Sequence, residues 1–309
     1  MLHNEDSSEL SVRAPVRLPS RGRLQRLTDM SNPNDFKRAL HAIDALGVTP
    51  AVLVKVAELA KDPNTDLDAI HALLRNDGPL AADIIRISNS PFYAPGALHS
   101  NLASAISFIG LREVIRVVNL SLARQLFARD LSSYGVSAAD YWSSAVAAAL
   151  VMEGLAKHSG LNPDDAYTLG TLHAIGRVLI NRVIEDLGFS IYWNPPQPIE
   201  QWEREAVGFD YAEAGAMLLQ HWLFPQPICD VIRGQLSPQK GVDPISLAGS
   251  LHFTLRLLAV TGSAFEKENW RLPEDAFVSA AGFTPEAVQQ LISGCRTSLQ
   301  AIRQSVDLD

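Results

Sequence analysis

Cysteine is scarce in this sequence, as are long apolar runs. The two cysteines, Cys229 and Cys295, lie far apart without a CxxC or CxxH companion, which argues against a disulfide framework and a zinc knuckle and predicts two free thiols. No uninterrupted apolar run reaches the roughly 20 residues of a membrane-spanning helix. Residues 1–8 are mostly polar and do not resemble a secretory signal. We therefore expect a soluble protein located in the cytoplasm, without a membrane partner.

Positive charge is in deficit, because 26 Lys and Arg residues face 34 Asp and Glu residues, giving a net charge of −8. Such a charge repels phosphate backbones, so we expect no nucleic-acid partner. Residues 1–34 are a local exception, because they carry three prolines and a cluster of arginines: Arg13, Arg17, Arg21, Arg23 and Arg26. Two interpretations stay open for this basic arm. It is either a flexible lead-in or a segment that docks on an acidic partner.

Apolar side chains at helical spacing are abundant. Hydrophobic residues make up 47% of the chain, which is enough for a large core, and strand-like alternation is scarce. Over residues 101–129 the apolar positions recur at spacings near three and four around Gly110, which predicts a helical pair hinged at that glycine. Further helices are predicted over residues 246–261 and 285–305. The pattern therefore predicts an all-α protein.

Polar side chains beside prolines indicate where several helices begin. Asn162-Pro163, Asp243-Pro244 and Thr284-Pro285 each place a hydrogen-bond acceptor before a proline. The acceptor satisfies free backbone N–H groups, and proline loses nothing at the first helical position. Asp210 and Glu213 have the spacing of a capping box, which predicts a helix over residues 210–222.

Two polar segments divide the chain. The clearest predicted loop within the main body is 186–198, which contains three prolines, and a turn-forming boundary follows near residues 237–241. We predict a flexible basic arm over residues 1–34, a main helical domain over residues 35–236, and a helical C-terminal extension over residues 237–309. The extension is expected to pack on the main domain, because its apolar faces would otherwise form large exposed patches.

Residues 167–177 read Y-T-L-G-T-L-H-A-I-G-R and resemble the G-x-L-H-D-I-G helix of the HD superfamily, in which a His-Asp pair binds a divalent metal. A wider series of motifs resembles the HDOD family, a bacterial branch related to HD hydrolases. These motifs follow one another along the chain at residues 45–59, 66–93, 102–114, 141–144 and 208–219. The resemblance covers most of residues 35–235. It implies an HD-like helical bundle of the HDOD type, here with a helical C-terminal extension.

The resemblance also implies a set of metal-ligand positions, most of which hold no ligand. The aspartate of the His-Asp pair is Ala174, the first histidine corresponds to Ser144, and the later aspartate falls at Gly249-Ser250. Only His173 remains of these vestigial HD positions. Divalent cations need several ligands at once, and one imidazole does not hold a catalytic metal. We therefore expect no metal, no cofactor and no phosphohydrolase activity.

The surviving polar residues have two interpretations each. His173 lies on an apolar helix, where it is either a hydrogen-bonded core residue or a ligand. Arg177 lies one helical turn further along, where it either lines the vacated pocket and binds an anion or pairs with a carboxylate. Arg86 is a second candidate for contact with an anionic ligand such as a nucleotide. The other histidines do not have the spacing of a metal site.

The HDOD resemblance implies a bacterial signalling or regulatory protein that acts by binding rather than by chemistry. No receiver or cyclic-dinucleotide module is recognised, so we expect a stand-alone module whose partner is a signalling protein, with homo-oligomerisation left open. One alternative is a sensor of a nucleotide-like anion that uses the vacated pocket with His173 and Arg177. The other is a phosphohydrolase whose metal is recruited through different residues.

Overall fold

The computed structural model describes most of the chain from Ala51 onwards. The described residues are 51–61, 65–90, 93, 98–186, 188, 190–194, 196–236, 242–261 and 282–305. Within them the regular structure is α-helical, apart from a 3₁₀ turn at Ser132–Tyr134 and an isolated bridge between Leu131 and Val136. The all-α prediction is confirmed. The predicted arm over residues 1–34 lies outside the described residues.

The helices are short to medium in length, and α4 and α5 are among the longest. In chain order they are α1 (Ala51–Lys61), α2 (Leu67–Leu74), α3 (Gly78–Ser88), α4 (Leu102–Leu126), α5 (Ala138–Ser159), α6 (Pro163–Leu172), α7 (Gly176–Asp186), α8 (Ile199–Val207), α9 (Tyr211–His221), α10 (Gln226–Gly234), α11 (Leu247–Thr261) and α12 (Pro285–Ser305). None of these described helices combines the length and apolar character that crossing a bilayer requires.

Helix α5 lies at the centre of the core. It packs against α4, α6, α11 and α12, and the alanines over residues 145–149 are buried. Small side chains allow close approach: a Cβ added to Gly170 of α6 would lie 2.5 Å from the Cα of Ala149. The helices α1, α2 and α3 pack on α4, whereas α7 packs on α9.

Helix α4 bends at Gly110, as the sequence predicts. Gly110 has a φ of 76° and a ψ of 163° inside an otherwise helical segment. Glycine adopts this region without the steric cost that a Cβ brings. The helix begins at an Asn101 cap, whose side chain accepts from the Ser104 N–H at 2.9 Å. The hinge therefore lets one apolar run serve two differently directed segments.

Most of the predicted helix starts are confirmed. Asp210 and Glu213 form the capping box at the start of α9, and Asn162 caps α6 through the N–H groups of its first turn. The prediction at Asp243-Pro244 is wrong, because α11 begins at Leu247. Asp243 closes a turn by accepting from the Ile245 N–H, and Ser246 is the residue whose hydroxyl accepts from Gly249 N at 3.0 Å.

The described C-terminal helices lie against the main body. Both α11 and α12 contact α5, and a Cβ added to Gly154 would meet the Leu291 side chain at 2.1 Å. The rings of His158 and Phe283 stack with centroids 4.2 Å apart. These contacts bury apolar faces of the C-terminal helices, while the division into three segments at residues 34 and 236 stays a prediction.

Candidate functional site

His173 lies at the end of α6, in the turn that leads into α7. Its side chain is buried, with 5% of its surface exposed, and its Nδ1 lies 2.7 Å from the Gly170 carbonyl oxygen. The backbone carbonyl of His173 accepts from Gln235 Nε2 at 2.8 Å. Burial and the nearby Arg177 charge lower the pKa of His173 to about 4. The imidazole is therefore neutral at pH 7, with the Nδ1 proton donated to Gly170.

Ala174 presents a buried methyl group at the position that the HD pattern gives to aspartate. It is 4% exposed, and its carbonyl oxygen accepts from the Tyr141 hydroxyl. Ser144 lies on the same helix as Tyr141, about one turn further along, and is partly buried. The structure thus brings α5 against the His173 turn, but neither Ser144 nor Ala174 supplies an imidazole or a carboxylate there.

Gly249 and Ser250 occupy the first turn of α11. A Cβ at Gly249 would lie 2.5 Å from the Asp243 carbonyl oxygen, so this position favours a residue without a side chain. The Ser250 backbone bonds within its own turn and helix, to Ser246 and to Thr254. Among the described residues, no three His, Cys, Asp or Glu side chains come together as a metal-ligand set. The donor set therefore does not fit the metal that HD hydrolases use.

Arg177 contacts a carboxylate and an aromatic ring. Its Nε lies 3.6 Å from Glu203 Oε1, and its guanidinium carbon lies 4.1 Å from the centre of the Tyr211 ring. Glu203 is fully buried and also accepts from the Tyr134 hydroxyl at 3.0 Å and from the Tyr211 N–H at 2.8 Å. This cluster joins α7, α8, α9 and the 3₁₀ turn.

Glu203 titrates outside the ordinary range of a glutamate. Burial raises the pKa of Glu203 to about 7, although the Arg177 charge and the two hydrogen bonds oppose the rise. Glu203 does not belong to any motif recognised in the sequence. The sequence does contain an indication of its role, because Glu203 lies on the same face of α8 as the buried Trp202, Ala206 and Val207. A carboxylate within an apolar helix face needs a buried partner.

Arg86, the second candidate for anion contact, also faces a carboxylate. Its Nη2 lies 3.4 Å from Asp83 Oδ1. Asp83 also accepts from Ser121 Oγ at 2.6 Å and from Arg124. Burial alone would raise the pKa of Asp83, but the hydrogen bonds and the arginine charges lower it by more. The pKa of Asp83 therefore lies below the ordinary value of an aspartate. The Asp83 carboxylate is therefore ionised at pH 7 and faces both Arg86 and Arg124, so it offsets one of these two positive charges.

Comparison with known families identifies the bundle. The model of the HDOD domain matches residues 46–238. The chain belongs to the HDOD family. An uncharacterised protein of Treponema pallidum (strain Nichols) is 25% identical over 227 residues, which are 70% of this chain and 43% of that protein. The chain thus spans less than half the length of this curated relative.

Solved structures support the same fold. An HDOD domain protein of unknown function from Geobacter sulfurreducens has a TM-score of 0.62 and 19% identity, covering 88% of this chain and 99% of that one. A protein assigned provisionally as a phosphohydrolase, from Shewanella amazonensis SB2B, has a TM-score of 0.61 and 22% identity over 88% and 98%. A protein assigned provisionally to signal transduction, from Marinobacter aquaeolei VT8, has a TM-score of 0.61 and 21% identity over 91% and 67%.

Proposed function

We propose that this HDOD chain is a non-catalytic signalling or regulatory module that acts by binding another protein. The proposal is carried by Ala174, a buried methyl group where a metal phosphohydrolase of this pattern has a carboxylate. The nearby His173 is neutral and already hydrogen-bonded to Gly170. A site with one imidazole and no carboxylate binds a divalent cation weakly.

The signalling part of the proposal draws on the relatives. The Marinobacter aquaeolei protein is assigned provisionally to signal transduction. The Shewanella amazonensis protein is assigned provisionally as a phosphohydrolase, so hydrolysis is the competing function that needs a direct test. The two functions differ in what they require of the His173 region, because only hydrolysis needs a bound metal with an open position for water.

Metal content and turnover test the non-catalytic proposal. Purified protein should carry no stoichiometric Mn, Fe or Zn after dialysis, and it should show no Mn²⁺- or Mg²⁺-dependent phosphodiesterase or phosphatase turnover. The control is His173→Ala, measured in parallel. About one metal ion per chain that is lost in His173→Ala, or metal-dependent turnover by wild type, would contradict the proposal.

Partner capture tests the binding proposal. Affinity purification from the native host with mass spectrometry should recover a specific signalling protein. His173→Ala should lower stability yet retain that partner, whereas some single charge reversals on the exposed helix faces should abolish capture without unfolding. A folded His173→Ala protein that loses the partner would point instead to a working pocket at His173.

A second candidate is a sensor of a nucleotide-like anion, and one observation favours it. Arg177 Nε is a buried donor without a hydrogen-bond acceptor among the described residues, since the Glu203 contact is 3.6 Å. The opposing observation is the Glu203 carboxyl group, which already faces the Arg177 guanidinium. A nucleotide that binds the native state raises its melting temperature. Shifts that appear with a nucleotide panel and disappear in Arg177→Gln would favour the sensor over a pure interaction module.

A further inference from the structure

A cleft of about 290 Å³ lies between the C-terminal end of α4, the loop that follows it and α7. Its apolar part is formed by Leu126, Leu131 and Val178, of which the two leucines are buried. This volume lies near the lower end of small-molecule sites, which run from roughly 300 to 1,000 Å³. Neither His173 nor Arg177 is among its lining residues. The cleft is therefore a separate feature from the vestigial HD positions.

One carboxylate of the cleft is oriented by neighbouring side chains. Glu185 Oε1 accepts from Asn181 Nδ2 at 2.8 Å and from Ser132 Oγ at 3.3 Å. Asn181 is buried and is fixed in turn, because its Oδ1 accepts from the Ser133 N–H at 3.0 Å. These hydrogen bonds engage only Oε1. No Lys or Arg among the described residues forms an ion pair with Glu185, so its charge is not neutralised within the cleft.

The rim of the cleft carries further charges. Arg129 is exposed and forms no ion pair with a carboxylate in the described part of the chain. Asp130 accepts from the Ala138 N–H at 2.8 Å but likewise has no cationic partner there. Arg182 differs, because it pairs with Asp186 at 3.0 Å. The cleft thus presents one unneutralised cation and two unneutralised carboxylates beside an apolar floor.

We propose that this cleft binds a free α-amino acid with an apolar side chain. Arg129 receives the ligand carboxylate, because guanidinium binds carboxylate through paired hydrogen bonds. Glu185 and Asp130 receive the ammonium group, and the side chain lies on Leu126 and Leu131. A multiply charged anion such as a nucleotide is disfavoured, because the two carboxylates would repel it. This ligand site goes beyond the proposed partner-binding function and does not depend on it.

L-leucine is the probe for this site, with three analogues that each lack one recognised group. L-leucinamide lacks the carboxylate, 4-methylpentanoate lacks the ammonium group, and glycine lacks the side chain. Calorimetric titration and the melting temperature of the full chain are measured with each compound. L-leucine should bind saturably, and each analogue should bind roughly ten- to a hundredfold more weakly, because a charge-assisted or apolar contact is lost.

Two exposed-residue variants assign the charges to the cleft. Arg129→Gln should bind L-leucine no better than L-leucinamide. Glu185→Gln should lose part of the wild-type preference for L-leucine over 4-methylpentanoate, because Asp130 still receives the ammonium group. Arg112→Gln is the matched control, since Arg112 is an exposed arginine of α4 that pairs with Asp164 at 3.7 Å. It should bind L-leucine like wild type. The proposal is overturned if wild type shows no saturable L-leucine binding, if all four compounds bind alike, or if both cleft variants bind like wild type.

Discussion

At the scale of single residues, Ala174 separates this chain from the metal-binding pattern that it resembles. Its methyl group is buried, and its carbonyl oxygen accepts from the Tyr141 hydroxyl of α5. Restoring one carboxylate there does not restore a site, because Ser144, Gly249 and Ser250 still provide no metal ligand of the HD pattern. A charged group in this position must instead find a partner or take up a proton.

The variant Ala174→Asp should therefore lose stability without gaining activity. A buried, unpaired carboxylate costs several kcal/mol unless it is protonated. Ala174→Asn is the matched control, because it adds a side chain of nearly the same size without the charge. Urea denaturation should show Ala174→Asp to be the less stable variant at pH 7, with the gap closing at acidic pH. Metal-dependent turnover well above wild type in Ala174→Asp would contradict this prediction. It would mean that residues other than those at positions 144, 249 and 250 supply the remaining metal ligands.

His173 and Glu203 make opposite contributions to the pH dependence of stability. Folding lowers the pKa of His173 from 6.5 to about 4, so over that range the unfolded chain binds more protons and stability rises with pH. Folding raises the pKa of Glu203 from 4.5 to about 7, so the folded chain holds the extra proton. The stabilising contribution of Glu203 is complete below pH 4.5 and is lost as the pH rises through about 7.

Glu203→Gln should expose the His173 contribution. Between pH 4.5 and 6.5 the free energy of unfolding of the variant should rise more steeply than that of wild type, by up to about 1.4 kcal/mol per pH unit. His173→Gln should deviate from wild type in the opposite direction. Both slopes come from urea denaturation over a pH series. Parallel profiles for all three proteins would mean that neither pKa is shifted in the folded state.

At the scale of elements, Gly176 sets how closely α7 and α9 pack. A Cβ at this position would lie 2.0 Å from the Tyr211 carbonyl oxygen and 2.5 Å from Gly215 N. Both atoms belong to the backbone of α9, so a clash with this Cβ could not be relieved by the rotation of a side chain. Gly176 lies within the H-A-I-G stretch. This helix contact gives a physical reason for its glycine that is independent of metal binding.

Gly176→Ala should consequently lose about 3 kcal/mol or more of stability, because two backbones would have to separate. Gly234→Ala is the control, since a Cβ at this position of α10 meets nothing within 4 Å. Alanine costs less than glycine in a helix, so Gly234→Ala should be neutral or gain up to about 1 kcal/mol. Melting temperatures and urea midpoints measure both. Equal stability of the two variants would contradict the close approach.

At the scale of the whole molecule, the two ends of the chain should differ in their importance for folding. Residues 1–34 carry few large apolar side chains and several arginines, so they are expected to bury too little surface to offset their ordering entropy. Helix α12 instead buries several apolar side chains in the core, among them Val288, Ile292, Leu299 and Ile302. The C-terminal helix should therefore be required where the basic arm is not.

Two truncations test this difference. A chain that begins at residue 35 should keep its melting temperature within a few degrees, because no core contact is expected to be lost. A chain that ends before Thr284 should lose solubility or cooperative unfolding, because the apolar face of α5 would become exposed. Scanning calorimetry and size-exclusion chromatography distinguish the cases. A large loss of melting temperature in the first truncation would show that the arm packs on the body.

The sequence by itself determined the all-α class, the HDOD family, the Gly110 hinge and the starts of α6 and α9, because these depend on local spacing and capping groups. It also determined that Ala174 cannot coordinate a metal, since that follows from the chemistry of one side chain. The helix start at Asp243-Pro244 was predicted wrongly, because Asp243 closes a turn before Ser246 caps the helix. Asp243 and Ser246 can each accept from free N–H groups at a helix start, and the surrounding packing decides which of the two caps α11.

Only the tertiary structure decided which side chains meet. Arg177 and Glu203 are distant in sequence, and their contact depends on how α7 and α8 pack. The same holds for the cleft, where Arg129 follows α4 while Glu185 lies at the end of α7. Spacing along one helix predicts a shared face, but not the neighbour that covers it. The packing of separate helices is a non-local property, and it brought together both the Arg177–Glu203 contact and the residues of the cleft.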